Sequence, residues 1–330
     1  MYSQAPLLAL LRAGKVPGES GAPKHIETVV SNIFLFEERV YKLYKNDNDF
    51  VNKNFGDIST KERRFAFSET DFEWNHQLAR EVYMRLQCVK VESNSITFVD
   101  NNEDAEELLL ITKRLPGESS LFEHLRNNDL TEIDYYEIGK QFAEQEKNFV
   151  LKGTLPEESS LRNMQGRIHD IHEWVKDVEE YIPQKEREKY VNQLEALVGR
   201  VYTDDSRVTV AFDVHSLNAF FVDGTFYPFD VVASKDSWRF APALVSIYRL
   251  ATDIYALVGE KEFRAVLKGY YGNLNGEVAP KETEYFLVMY ASLIMVPYLY
   301  MLAQTDPDKR EAAIKYHDFL KRYTSRTLDV

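Results

Sequence analysis

The apolar residues of this 330-residue chain change their spacing near residue 117. Before that point, β-branched and aromatic residues collect in short runs: "TVVSNIFLF" (28–36), "VYKLYK" (40–45), "SITFVD" (95–100) and "LLLITKRL" (108–115). After about residue 119 they recur at helical spacing. Strands first and helices later predict an α+β chain, with a small N-terminal β-sheet lobe and a larger, mainly helical C-terminal lobe. A chain of this length is also long enough for one core to give way to two. The expected boundary lies at Lys113 to Gly117, giving lobes of 1–115 and 116–330.

Finer expectations follow from local signals. The polar "EER" (37–39) between the first two runs predicts a hairpin, and "NNEDAEE" (101–107) between the last two predicts a second. A helix is expected over about 60–87, opened by Ser59 as N-cap with Glu62 three residues on. The start, "MYSQAPLLALLRAGKVPGES", is a poor signal peptide and a fair amphipathic helix. Residues 157–201 read as a charged helical pair broken at Pro183, an insertion within the helical lobe. His169, His172 and Glu173 lie there, but their spacing is not the His-Glu-x-x-His pattern of a zinc site, and a solvated helix face is the better reading.

The run from Tyr285 to Thr305 carries no charge and is long enough to span a bilayer. Its tyrosines, Pro297 and acidic flanks (Glu284, Asp306), with no basic cluster on either side, predict a buried core helix. The net charge of -13 argues against nucleic acid, which demands a basic surface. Any charged partner is expected to be cationic. One cysteine, Cys88, excludes an intramolecular disulfide and fits a cytoplasmic protein with no membrane partner.

The chemistry concentrates in "VAFDVHSLNAFFVDGTFYPFD" (210–230). Asp213, Asn218 and Asp230 follow one another in the order and spacing that kinases use for a catalytic aspartate, an asparagine five residues later and a further metal-binding aspartate. Turn caps are the alternative reading of Asp213 and Asn218. Lys42 lies inside "VYKLYK" between Val40 and Leu43, where an inward lysine needs an anionic partner and an outward one needs none. Asp71, Trp74, Asn75, Leu78 and Val82 share one helical face, which makes Asp71 the acid best placed to brace Lys42, with Glu69 and Glu73 on neighbouring faces.

Three ordered blocks resemble the aminoglycoside phosphotransferase and choline kinase-like family, in particular a poorly characterised bacterial branch of it. They are "HIETVVSNIFLFEERVYKLYK", "FGDISTKERRF" with "DFEWNHQLAREVY", and "FDVHSLNAFFVDGTFYPFD", with weaker similarity through "LATDIYAL". The resemblance implies a bilobal protein-kinase-like fold and an ATP-dependent transfer of phosphate to a hydroxyl of a small molecule, with ATP and Mg2+ as cofactors. It implies that Asp213 is catalytic and that Asn218 and Asp230 hold magnesium. Lys42, Asp71, Ser31, Lys113 and Leu115 would then border the nucleotide, and His215 would shape the loop. Departures are Ala211 and Phe212 in place of His-Gly, Ala233 in place of an acid, and no glycine-rich loop. A catalytically weak nucleotide-binding module and an AMP transferase on the same fold are the alternatives. The excess acid suggests an amine-bearing acceptor, with Glu173, Asp177 and Glu180 as candidate contributors if the insertion folds over the cleft.

Overall fold

The computed structural model describes residues 3–54, 56–176, 180–233, 235–274 and 278–325. The chain divides into two compact units. One comprises Met1–Pro116 with Phe229–Asp236, the other Gly117–Pro228 with Ser237–Val330.

The first unit opens with helix α1 (Ala5–Arg12) and continues through strands β1 (Lys24–Glu27), β2 (Ser31–Leu35) and β3 (Arg39–Tyr44). Helices α2 (Asp49–Asn54) and α3 (Lys61–Leu78) follow, then strands β4 (Tyr83–Glu92), β5 (Ser95–Val99) and β6 (Glu107–Lys113). The strands form one six-stranded sheet in the order β1-β2-β3-β6-β4-β5, with every pairing antiparallel. Alternation along β3 sorts its side chains between two faces. Tyr41 and Leu43 join Leu109 and Ile111 of β6 in a core closed by Leu7, Leu10 and Leu11 of α1. Lys42 and Tyr44 point the other way, and the Tyr44 ring meets Phe67 of α3 edge-on at 4.8 Å. The period of a strand therefore delivers Lys42 to α3.

The first hairpin forms as expected, with Leu35 opposite Val40. The second does not. β5 pairs with β4, and β6 pairs with both β3 and β4, so β4 lies between the two runs read as hairpin partners. The physical reason is burial: every residue of β6 from Glu107 to Thr112 is buried, and a strand buried on both faces takes the centre of a sheet. The expected helix over 60–87 is shorter for the same reason, since its last residues belong to β4. The amides of both Val82 and Tyr83 turn back to the Ala79 carbonyl before the strand begins. The N-cap is Thr60 rather than Ser59, its hydroxyl accepting from the Arg63 amide.

The second unit is helical around two small two-stranded sheets. Helices α4 (Leu121–Asn127), α5 (Glu132–Asn148), α6 (Ser160–Lys176) and α7 (Gln184–Val201) precede strands β7 (Thr209–Val210), β8 (Ala219–Val222), β9 (Thr225–Pro228) and β10 (Phe240–Ala241). Helices α8 (Val245–Leu257), α9 (Glu260–Leu274), α10 (Lys281–Leu302) and α11 (Asp308–Thr324) complete it. The helical pair at 157–201 is present as α6 and α7, with Pro183 at the N-cap of α7. Asp223 and Gly224, both at positive φ, make the tight turn of the β8–β9 hairpin.

Helix α8 is buried along its whole length, and α10 packs on it. The charge-free run lies in α10, buried from Tyr285 to Pro297 as a core helix of this unit. Among the described residues it is the one helix long and apolar enough to cross a membrane. Helices α5 and α9 cross closely, and glycines permit it. A Cβ at Gly139 would stand 2.0 Å from the Val266 carbonyl oxygen, and one at Gly269 2.0 Å from that of Tyr136. We expect Gly139→Ala or Gly269→Ala to force the helices apart at a cost of about 1–3 kcal/mol, read as a lower urea midpoint at unchanged m-value. An unaltered midpoint would show that the crossing has slack.

Candidate active site

Within the first unit, three ionisable side chains from distant parts of the sequence converge. Lys42 Nζ lies 2.5 Å from Asp230 Oδ1 and 3.8 Å from Asp71 Oδ2. Asp71 is fully buried, whereas the Asp230 side chain is 40% exposed. Burial works against a charged lysine, but the two carboxylates, Asp230 foremost, outweigh it and hold the Lys42 ammonium above its ordinary value. Asp71 accepts from the Tyr44 hydroxyl at 2.7 Å and from the Asn75 amide at 2.8 Å. Burial is the dominant influence on its carboxyl, which is pushed up to about 6 against the pull of Lys42.

The segment carrying Asp230 is fixed by the same residues. Asp230 sits at φ 54°, a left-handed conformation that aspartate tolerates better than most side chains. Its amide donates to the Tyr83 hydroxyl at 2.9 Å, and the Val231 amide donates to Asn75 Oδ1 at 3.1 Å. Asn75 thus holds Asp71 with one end of its amide and the Asp230 segment with the other. With both carboxylates ionised the cluster carries a net single negative charge, and its more exposed member is a hard oxygen donor suited to magnesium.

In the second unit the loop from Ala211 to Asn218 has no strand pairing of its own beyond β7, and side chains hold it. Asp253 of α8, fully buried, accepts from the Ser216 amide at 2.8 Å, the Ser216 hydroxyl at 2.6 Å and the Tyr316 hydroxyl at 2.9 Å. Ser246 of α8 accepts from the Phe212 amide at 2.9 Å. Asn218 closes the loop, its amide nitrogen donating to the Asp213 carbonyl at 3.3 Å. The buried Arg249, also of α8, donates to Asp213 Oδ1 through Nε and Nη2 at 3.1 Å each. Although burial opposes it, Arg249 together with the charges of His215 and Arg167 holds the Asp213 carboxyl below the usual range. The loop therefore presents an ionised, oriented carboxylate.

No protein-family model and no curated protein matches the sequence. Solved structures do. A choline/ethanolamine kinase family protein from Mesorhizobium loti superposes with a TM-score of 0.57 at 13% identity, covering 98% of this chain and 94% of its own. An aminoglycoside phosphotransferase from Streptomyces rimosus, in complex with ADP and streptomycin, gives 0.51 at 13% identity over 88% of this chain and 98% of its own. The chain has the kinase-like fold of the choline kinases and aminoglycoside phosphotransferases.

On this kinase-like fold the site residues expected from sequence fall into two groups. Lys42, Asp71 and Asp230 are together in the first unit, and Asp213 and Asn218 share one loop of the second. Ser31 is buried at the start of β2, where its backbone and hydroxyl bond Thr28. Lys113 is exposed at the end of β6, and Leu115 is half-buried two residues on. His215 is buried with its ring 5.9 Å from that of Tyr298. Among the acidic residues of the insertion, Glu173 pairs with Lys176 and Glu180 accepts from Gln304, while Asp177 lies outside the described residues.

Sequence reasoning missed Ser246, Arg249 and Asp253. Their signal was present: at i, i+3 and i+7 they form a polar stripe on a helix that is otherwise apolar, and polar groups buried at helical spacing must have partners. Where the resembling family has His-Gly, Ala211 and Phe212 pack inside the unit. The Ala211 amide bonds the Arg239 carbonyl, and the Phe212 ring lies between Phe142 and Phe149.

The raised carboxyl of Asp71 has a consequence for stability. Because its folded value, about 6, exceeds that of an unfolded aspartate, its contribution is complete below about pH 3.9 and is lost as pH rises through 6. Asp71→Asn cannot titrate. The stability of the native protein relative to this variant is therefore expected to fall between pH 4.5 and 7, by at most about 1.4 kcal/mol per pH unit. Urea unfolding of both proteins across that range measures it, and a constant difference would show that Asp71 titrates as it does in water.

Proposed function

We propose that the protein is an ATP-dependent phosphotransferase that moves the γ-phosphoryl group to a hydroxyl of a small molecule. The observations that carry this reading, on a kinase-like fold, are a buried lysine held by two carboxylates in the first unit and an ionised aspartate on a side-chain-anchored loop of the second. Phosphoryl transfer asks a protein chiefly for positioning and charge stabilisation, and each residue has a part in that. Lys42 binds the phosphates of the nucleotide, and Asp71 holds the ammonium in place. Asp213 accepts a hydrogen bond from the acceptor hydroxyl and orients its oxygen toward the γ-phosphorus. As the new P–O bond forms and the bond to the β-phosphate oxygen breaks, Asp213 takes the proton and ADP departs.

Asp230 and Asn218 would hold magnesium, whose chemistry is to neutralise charge on the phosphate oxygens. A carboxylate and an amide oxygen are the hard donors that this ion takes. The low proton affinity of Asp213 suits a group that orients first and accepts the proton late.

The acceptor proposed is small and amine-bearing. The net charge of -13 favours a cation, and the two structural neighbours are described as a choline/ethanolamine kinase family protein and as a streptomycin complex. Release of ADP identifies phosphoryl transfer, whereas release of pyrophosphate would identify AMP transfer instead. We expect Asp213→Asn to lower turnover roughly 10²- to 10⁴-fold while ATP affinity stays within a few-fold by calorimetry. Asp230→Ala is expected instead to weaken magnesium-dependent ATP binding. Equal loss of ATP binding in both variants would overturn these roles.

A further inference from the structure

The second unit contains a support for the Asp213 loop that does not come from α8. The chain enters that loop through β7, a strand of two residues, and its partner β10 is equally short. A ribbon of this size does not hold its shape unaided. Residues 158–167, which open the stretch read from sequence as a helical insertion, touch the chain around this ribbon twice. The first contact is backbone: the Ser160 amide donates to the Ser206 carbonyl at 2.9 Å, and the Val208 amide donates to the Glu158 carbonyl at 3.3 Å. In the second, α6 reaches β10 with side chains.

Arg167 is the centre of that second contact. It is buried, and its Nη2 donates to the Trp238 carbonyl at 2.7 Å and to the Phe240 carbonyl at 3.0 Å. Its Nε donates to Asn163 Oδ1 at 3.1 Å and its Nη1 to the Tyr290 hydroxyl at 3.0 Å. Asn163 Nδ2 donates to the same Phe240 carbonyl at 3.1 Å. The Trp238 ring covers the guanidinium, its centroid 4.9 Å from Cζ, and the indole nitrogen donates to Asp170 Oδ2 at 2.8 Å. Asn163, Arg167 and Asp170, at i, i+4 and i+7, thus present one face of α6 to residues 238–240. The carbonyls of that segment alternate. Those of Trp238 and Phe240 face α6, whereas the Arg239 carbonyl between them accepts from the Ala211 amide at 2.9 Å, two residues before Asp213.

The four acceptors of Arg167 are all neutral, so the guanidinium supplies direction rather than an ion pair. Its planar group fixes several donors at once, which a lysine ammonium cannot do. We propose that Arg167 is a positioning residue: through the carbonyls of Trp238 and Phe240 it fixes β10, and through β10 it fixes the Ala211 amide and the entry to the Asp213 loop. The helical insertion is then a brace for that loop. Helix α8 holds the loop from Phe212 onward, so the two supports are separable. Loss of Arg167 frees Ala211 and leaves Ser216 held by Asp253. The effect on turnover rests on the phosphotransferase reading, in which Asp213 orients the acceptor, but the bracing does not.

The test uses the full chain. Hydrogen exchange of the Ala211 and Ser216 amides is followed by NMR in the native protein, in Arg167→Ala and in Arg167→Lys. The alanine variant is measured again with guanidinium chloride far below denaturing concentration, and with sodium chloride of equal strength. The expected result is exchange at Ala211 faster by about tenfold or more in both variants, with Ser216 unchanged. Guanidinium, which refills the place of the lost side chain, should restore protection at Ala211, and sodium should not. In turnover, kcat of Arg167→Ala should fall roughly 10- to 100-fold with the KM for ATP within about threefold, and guanidinium should restore it. If Arg167→Ala does not fold, Asn163→Ala decides, since it removes one donor to the Phe240 carbonyl: exchange about threefold faster at Ala211 alone supports the brace, and unchanged exchange overturns it. Equal acceleration at both amides, native exchange in Arg167→Lys, or guanidinium acting no better than sodium would also overturn it. A loosened Ala211 with native kcat would overturn the role in turnover. Absence of phosphotransfer by the native protein with every acceptor tried would overturn the proposed function and leave the exchange results to decide the brace.

Discussion

A lysine ammonium inside a sheet is held there only by negative charge, and Lys42 sets that demand for the whole first unit. Desolvating a lone ammonium costs several kcal/mol, so the sheet, α3 and the returning segment must each bring something. β3 brings the lysine, α3 brings Asp71, and the segment after β9 brings Asp230. The neighbours then satisfy one another. Tyr44 and Asn75 bond Asp71, Asn75 and Tyr83 bond the backbone at 230 and 231, and few lone pairs are left without a donor. Such a network fixes geometry more than it adds stability, because a hydrophobic replacement of equal volume would be as stable or more so. Its worth is a lysine head held at one place.

The second unit solves the converse problem. Its loop from Ala211 to Asn218 is irregular backbone, whose amides need partners that no ladder supplies. Helix α8 provides them through Ser246, Arg249 and Asp253, three polar residues along one stripe of a helix buried on all sides. One rigid element therefore positions the loop at Phe212, Asp213 and Ser216. The entrance to the loop is fixed by Ser246, which accepts from the Phe212 amide, and by the packing of the Phe212 ring on Phe149.

Much of this was legible in the sequence, and the reasons for the rest are physical. Asp71 was found because a helix repeats every 3.6 residues and places it among Trp74, Asn75 and Leu78. Lys42 and the order Asp213, Asn218, Asp230 could be singled out because residue spacing along a strand or loop is local. Strand pairing is not local. The runs around β5 and β6 look like a hairpin on their own, and only the burial of β6 on both faces requires β4 to come between them. The end of α3 was misplaced because Val82 continues the helical apolar pattern although it belongs to the turn into a strand. Arg249 and Asp253 were hidden by their setting, since a charged residue in an apolar helix reveals its role only through partners distant in sequence.

The return of Phe229–Asp236 to the first unit bears on how the protein is made. A ribosome releases Met1–Pro116 long before it reaches Asp230, and until then Lys42 has, among the described residues of that unit, Asp71 as its one carboxylate partner. The nascent N-terminal part must wait, incomplete, through synthesis of the entire stretch from 117 to 228. Domain-by-domain folding during synthesis, the usual course for a two-part chain, therefore cannot complete the first unit before residues 229–236 are made.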